Sequence, residues 1–294
     1  MHRLAPRRRT AAVAAAAATA LTVLLSGCGL IGGGDSKTIK VGVSGDAQEW
    51  DTLVQEAKKE GLDVEPVSFD DYSLPNKALA AGDIDLNAFQ HLVFLAQSNL
   101  ENKTAIVPLS ATTVVPMGIY SKKITKLQDL KPGAKIAHPD DPANEGRALH
   151  LLDRAKVIEL KPGTGLYATP EDVAKNPKNI TFTAVNAQQT PRLLPDVDAA
   201  IINDGVASLA KIDAKSALFH DDPKDPAIRP YVNVIAVREA EKDDPDFAKI
   251  AKIYASKPVQ DAYQRFANGT GVHLNLSQAE LEKELDRVAQ QLKK

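Results

Sequence analysis

From residue 39 onward the apolar residues of this chain switch between two periods, and that alternation restricts the fold more than any other feature. Ile39, Val41 and Val43 alternate as a strand does, and Trp50, Leu53, Val54 and Ala57 then recur at helical spacing until Gly61 closes the helix. Residues 64–69 read as a second strand, residues 75–81 as a helix ended by Gly82, and residues 84–89 as a third strand. Parallel strands need crossovers, so a βαβαβ order predicts an α/β fold with a mostly parallel, doubly wound sheet. A second unit opens with a strand at residues 135–137. Asp141 then serves as an N-cap with Pro142 at the first helical position, and Ala148, Leu151, Leu152 and Ala155 form the buried stripe of the helix. Strands at residues 180–185 and 199–203 complete that unit. Residues 117–121 are expected to cross between the halves, and a strand at 231–237 to return the chain to the first. Phe247, Ile250, Ala251 and Tyr254 mark a further helix, residues 258–268 another, and Ser277 with Glu280 forms a capping box before the last. The charge density of that last helix reads as a solvated face.

The N-terminal residues indicate where such a fold works. Arg3, Arg7, Arg8 and Arg9 precede an apolar run over residues 11–25, too short and too Ala-rich for a transmembrane helix. The run ends at Leu25-Ser26-Gly27-Cys28, which looks like a bacterial lipobox, so residues 1–27 are expected to be a lipoprotein signal peptide and Cys28 the lipidated first residue of the mature chain. Two acyl chains anchor stably where one is marginal. Cys28 is the only cysteine, so neither a disulfide framework nor a cysteine metal site can form. The plainer reading makes it an apolar residue near a cleavage point. The Gly-rich residues 28–37 read as a tether.

Past the signal, 38 Asp and Glu outnumber the remaining Lys and Arg, since four of the 36 basic residues lie in the signal. A net acidic chain argues against a nucleic-acid partner. A mature chain of this size tends to split its core in two. The expected organisation is a first lobe from residues 38–118 and 232–294, with residues 119–231 inserted as a second lobe.

Catalytic motifs are missing: there is no His-Glu-x-x-His, no Gly-x-Ser-x-Gly and no Walker loop, and the histidines lack metal-ligand spacing. No cofactor and no metal is called for. Three stretches carry chemistry. One runs from Phe69-Asp70-Asp71-Tyr72 through Asn76 to Asn87-Ala88-Phe89-Gln90-His91, where a strand end delivers aromatic and polar groups to the ligand side of an open sheet. A second, residues 140–147, sets Arg147 near a helix start, where anions are favoured. In the third, Asn233 interrupts an otherwise apolar strand after Arg229-Pro230-Tyr231.

From residue 39 to about residue 268 the chain resembles the NlpA-type methionine-binding lipoproteins of ABC importers. The segments that carry the likeness are residues 87–91, Tyr120-Ser121-Lys122-Lys123-Ile124, Asn176-Pro177-Lys178-Asn179 and residues 230–233. The resemblance implies a two-lobed periplasmic-binding-protein fold of type II-like build, with two doubly wound mixed sheets, a hinge, and the ligand between the lobes. It implies that Arg147, beside Asn144, grips a ligand carboxylate bidentately, that Asn203 and Asn233 receive an α-ammonium, and that Tyr72, Phe89, His91 and Phe94 line a side-chain pocket suited to a thioether. The expected ligand is methionine, a derivative or a short methionine peptide, and the expected partners are an importer permease and its ATPase. The chain departs from the family where Asp204-Gly205-Val206 follows Asn203 without the usual Tyr, in having Phe94 where Tyr is common, and in its extra C-terminal helix.

Each assignment has a plainer rival. Arg147 could be a surface residue, Phe89 and Phe94 ordinary core, His91 a satisfied core histidine, Asn203 a helix cap and Asn233 a hinge pin. Two other classes stay open at this point: an exported α/β hydrolase using Asp70, Asp71 and His91, and a structural or adhesive lipoprotein without a ligand. On the binding reading, the Arg147 guanidinium is expected to face an open, wet cleft, so that its removal leaves folding unchanged.

Overall fold

The computed structural model describes residues 37–45, 50–267 and 269–292. The expected signal peptide, Cys28 and nearly all of the tether therefore lie outside the described residues. The chain runs β1 (Ile39–Ser44), α1 (Asp51–Lys59), β2 (Val64–Phe69), α2 (Pro75–Ala81), β3 (Leu86–His91), α3 (Leu92–Asn102) and β4 (Ile106–Ala111). It continues through β5 (Thr113–Val114), β6 (Met117–Tyr120), β7 (Lys135–Pro139), α4 (Pro142–Arg154), β8 (Glu159–Leu160), β9 (Val173–Lys175), β10 (Thr181–Val185), β11 (Ala199–Asn203), α5 (Asp204–Leu209) and β12 (Phe219–His220). The last part is β13 (Asn233–Arg238), α6 (Pro245–Tyr254), α7 (Lys257–Phe266), β14 (Val272–His273) and α8 (Gln278–Ala289).

Two five-stranded sheets result, in the orders β2-β1-β3-β13-β4 and β10-β7-β11-β6-β12. β1 runs parallel to β2 and β3, while β13 enters antiparallel to β3 and β4, so the mostly parallel sheet read from the sequence is a mixed one. The second sheet has the same mixed character: β7 is parallel to β10 and β11, and β6 is antiparallel to β11 and β12. Pro66, which has no amide hydrogen, sits in β2 at a sheet edge, where that loss is tolerated.

Apolar clusters cover both faces of each sheet, as a doubly wound arrangement requires. In the first, Ile39, Val41, Val43, Ile235 and Val237 face α1 and α6, and Ile106, Val234 and Ala236 face α3 and α8. In the second, Met117, Ile119, Ile136 and Ile201 pack on Leu149 and Leu152 of α4, while Tyr120, Ala137, Ala200 and Ile202 face α5. Helix α4 starts as its sequence predicts, with the Asp141 carboxylate accepting the Asn144 amide hydrogen. It also lies very close to the chain at residues 166–168: a β-carbon added at Gly146 would fall 2.2 Å from the Leu166 carbonyl oxygen.

Three readings differ from expectation. Met117–Tyr120, expected to cross between the halves, is strand β6 inside the second sheet, paired with β11 and β12. The third strand spans Leu86–His91, with Gly82 ending α2 in the left-handed region (φ 84°) and residues up to Asp85 making the turn. The return strand begins at Asn233 and not at Tyr231. Pro226 and Pro230 hold φ near −65°, and Pro226–Tyr231 coils as a 3-10 turn. Asn233 therefore opens a strand and does not interrupt one, and the register places it opposite His91.

Candidate ligand-binding site

The carboxyl ends of β1, β3 and β11 and the amino end of β13 converge on one cavity of ≈ 130 Å³. That is the size class of cavities that hold a small organic molecule. All eight residues expected at the site line it: Tyr72, Phe89, His91, Phe94, Asn144, Arg147, Asn203 and Asn233. They come from both sheets and from segments up to 161 positions apart, between Tyr72 and Asn233.

One wall is aromatic. The Phe89 and Phe94 rings meet edge to face at 5.7 Å, and Tyr72 packs on both at 5.9 and 6.1 Å. These rings are also the rim of the apolar cluster under the first sheet, so the core reading and the pocket reading of Phe89 and Phe94 describe the same side chains. His91, 5 % exposed, adds its ring edge-on to Phe94 at 6.4 Å and to Tyr231 at 5.1 Å.

Both nitrogens of His91 are engaged. Nδ1 accepts the Phe94 amide hydrogen as the N-cap of α3, which leaves Nε2–H to donate to Asn144 Oδ1 at 3.2 Å. Burial, helped by the Arg147 charge, pushes its pKa down to about 3, so the ring stays neutral. The site of the alternative hydrolase reading is not assembled. Asp71 binds the Ser73 amide and the Asn186 side chain, and His91 pairs with neither Asp70 nor Asp71.

Asn144 is the polar junction of the cavity. Its Oδ1 accepts from His91 and from Asn203 Nδ2 (2.8 Å), and its own Nδ2 donates to both oxygens of Asp141 at 2.9 Å. Because Asn203 turns its amino group toward Asn144, its carbonyl Oδ1 is left buried with no hydrogen-bond donor among the described residues. Asn233 makes no side-chain hydrogen bond to the described residues, and its backbone oxygen accepts from the Thr112 amide at 2.8 Å.

Arg147 corrects one expectation. It is only 3 % exposed and does not face a wet cleft. Its Nε and Nη2 donate to Asp221 Oδ2 at 3.0 and 2.9 Å, Nη2 also donates to the Val115 carbonyl, and the guanidinium lies 4.6 Å from the centre of the Tyr231 ring. The Nε–Nη2 edge of the guanidinium thus meets Asp221, and among the described residues Nη1 has no acceptor. Asp221 Oδ1 is held by the Met117 amide at 2.7 Å. Neither Asp221 nor Tyr231 was legible as part of the site. Asp221 follows a two-residue strand with no local motif and lies 74 positions from the arginine it orients.

A second group missed as a site residue is Asp204. It is 5 % exposed, lines the cavity beside Asn203, and accepts from Thr270 Oγ1 at 3.2 Å. Burial outweighs that bond and the Arg147 charge, and raises its pKa to about 6. Asn76, Asn87 and Gln90 form a buried amide network with bonds of 2.7–2.9 Å, which ties α2 to β3, the strand that carries Phe89 and His91.

Residues 39–273 match the family model described as NlpA lipoprotein. The chain is 43 % identical over 266 residues to the D-methionine-binding lipoprotein MetQ of Yersinia pestis, covering 88 % of this chain and 96 % of that protein. Among solved structures, protein PG110 from Staphylococcus aureus superposes with a TM-score of 0.83 at 43 % identity, over 85 % of this chain and 99 % of that one. A nutrient binding protein from Burkholderia cenocepacia, bound to methionine, superposes with a TM-score of 0.76 at 42 % identity, over 80 % and 99 % of the two chains. The chain therefore belongs to the NlpA lipoprotein family, a family of substrate-binding proteins and not of enzymes.

Proposed function

We propose that this protein is anchored through lipid on Cys28 to the outer face of the cytoplasmic membrane, where it captures methionine or a close relative and delivers it to the permease of an ABC importer and its ATPase. In this reading residues 38–118 and 232–294 form one lobe, residues 119–231 the other, and the ligand is held between them. The observation that carries the reading is the composition of the cavity wall: an aromatic face, a guanidinium with Nη1 to spare, and an amide oxygen without a donor, all at one site. Arg147 meets the ligand carboxylate, Asn203 and Asn233 accept from its ammonium, and Tyr72, Phe89, His91 and Phe94 surround its side chain. A thioether against aromatic edges is favourable. Relatives named for methionine binding support the choice of ligand.

A thermal-shift screen over L- and D-amino acids and short methionine peptides tests this, since a ligand that binds only the native state stabilises it by RT ln(1 + [L]/Kd). Methionine or a methionine-containing compound should give the largest shift. No shift with any of them, at millimolar concentration, would remove the reading.

A further inference from the structure

We propose that Asp204 is a specificity-determining residue that makes the cleft demand a free cationic nitrogen on its ligand. This rests on the reading of the cavity as an amino-acid site, and it names which end of the ligand is selected and by what. Asp204 opens α5 directly after Asn203 closes β11, and both residues line the cavity. Among the described residues the Asn203 oxygen has no donor, and the Asp204 carboxylate meets the neutral Thr270 hydroxyl, whose single proton is shared with the Ala267 carbonyl at 2.6 Å. Among the described residues no Lys, Arg or His forms an ion pair with Asp204. Arg147 acts on it from farther off and is itself committed to Asp221. A carboxylate buried without a counter-charge is costly, and an ammonium placed between these oxygens removes the cost while satisfying both. A ligand whose nitrogen is acylated, or replaced by hydroxyl, brings no charge and leaves Asp204 exposed to that penalty.

Calorimetric titration of the mature protein with L-methionine, N-acetyl-L-methionine and the 2-hydroxy analogue of methionine tests the assignment. The wild type should bind methionine roughly 100-fold or more tightly than either analogue, because a site built to pair a polar group rejects a ligand that lacks it. Asp204→Asn should weaken methionine about tenfold or more while changing the hydroxy analogue by less than about threefold. Unchanged discrimination in this variant overturns the proposal and leaves the amino-acid reading standing. A wild type that binds none of the three overturns that reading and the proposal with it.

A second measurement needs no variant. Burial raises the Asp204 pKa to about 6, so as pH falls through 6 the carboxyl is protonated and its attraction for the ammonium is lost. The preference for methionine over the hydroxy analogue should therefore shrink on going from pH 7 to 5. The groups acting on Asp204 are Arg147 from α4, Asp221 after β12, Tyr120 of β6 and the Thr270 hydroxyl. Asp141, also raised to about 6, acts on both ligands through Asn144, and the hydroxy analogue controls for it. A preference that does not change with pH counts against Asp204 as the selecting charge.

Discussion

Arg147 lines the cavity and is at the same time paired with Asp221. The pair is buried on both sides, and each Asp221 oxygen is satisfied, one by the guanidinium and the other by the Met117 amide. Arg147→Ala strands a carboxylate in the interior, and breaking such a pair from one side costs about 3–5 kcal/mol. The ligand-free variant should therefore lose about that much stability in urea unfolding, and its affinity for the screened ligand should fall roughly 30-fold to several thousand-fold. Arg147→Lys should recover part of the stability and less of the affinity, because an ammonium cannot hold Asp221 and reach a ligand carboxylate together. An unchanged urea midpoint for the Ala variant would show that Asp221 finds another partner. The match of residues 140–147 to the family pointed at Arg147 from the sequence. That the arginine is already paired was not readable, because the partner lies 74 positions along the chain, after the edge strand β12.

At the scale of elements, the C-terminal helix α8 repays comparison with its sequence. The capping box was legible and forms as expected, with the Ser277 side chain receiving the Glu280 amide and Glu280 reaching back to Ser277. The solvated face is there too, with Arg287 paired to Glu284. Between those charges Leu281, Leu285 and Val288 are buried in the apolar cluster shared by α3, β4 and β13, so the helix is a structural part of the first sheet's outer layer. Leu281→Ala should cost about 2–5 kcal/mol, as large-to-small core changes do, read from the shift of the urea midpoint. Ligand affinity should stay unchanged, since α8 contributes no lining residue. A variant as stable as wild type would make α8 a surface appendage. Three apolar residues spaced by four and three gave a helical period. The surface they cover became visible only in the packed structure.

Contacts that join the two halves define the behaviour of the whole molecule. His91 to Asn144, the Ala143 amide to Gln97, Asn186 to Asp71, the Tyr167 hydroxyl to the Val93 carbonyl and Thr270 to Asp204 all bridge segments of different sheets. Beside these polar contacts, Ala143, Leu166 and Tyr167 pack on the apolar cluster of α3 and α8. The proposed lobes are joined by two chain crossings, at residues 112–117 and 221–233, and closure of the two as bodies around a ligand is the expected motion. Small-angle scattering should show a smaller radius of gyration at ligand saturation than without ligand. An unchanged radius at confirmed saturation would argue against closure. Anchoring is tested separately: Cys28→Ser should appear in the medium or periplasm, or as uncleaved precursor, and a variant that still fractionates as mature detergent-soluble lipoprotein would remove the lipid from Cys28.

Local physics made much of this protein readable in one dimension. Strand and helix periods, the Asp141-Pro142 start of α4, the Gly82 stop and the Ser277 capping box depend on neighbours within a few residues; the caps and the stop appear where the sequence places them, and two strands begin two residues later than read. The eight expected site residues could be named because family motifs are also local strings. What only the tertiary structure decided are relations between distant segments: β13 entering the first sheet antiparallel, Asn233 set opposite His91, Arg147 held by Asp221, and Asp204 buried against Thr270. Such relations depend on burial and on the direction from which a partner arrives. A buried carboxylate and an exposed one are written with the same letter, and only the packed chain sets the charge each can hold.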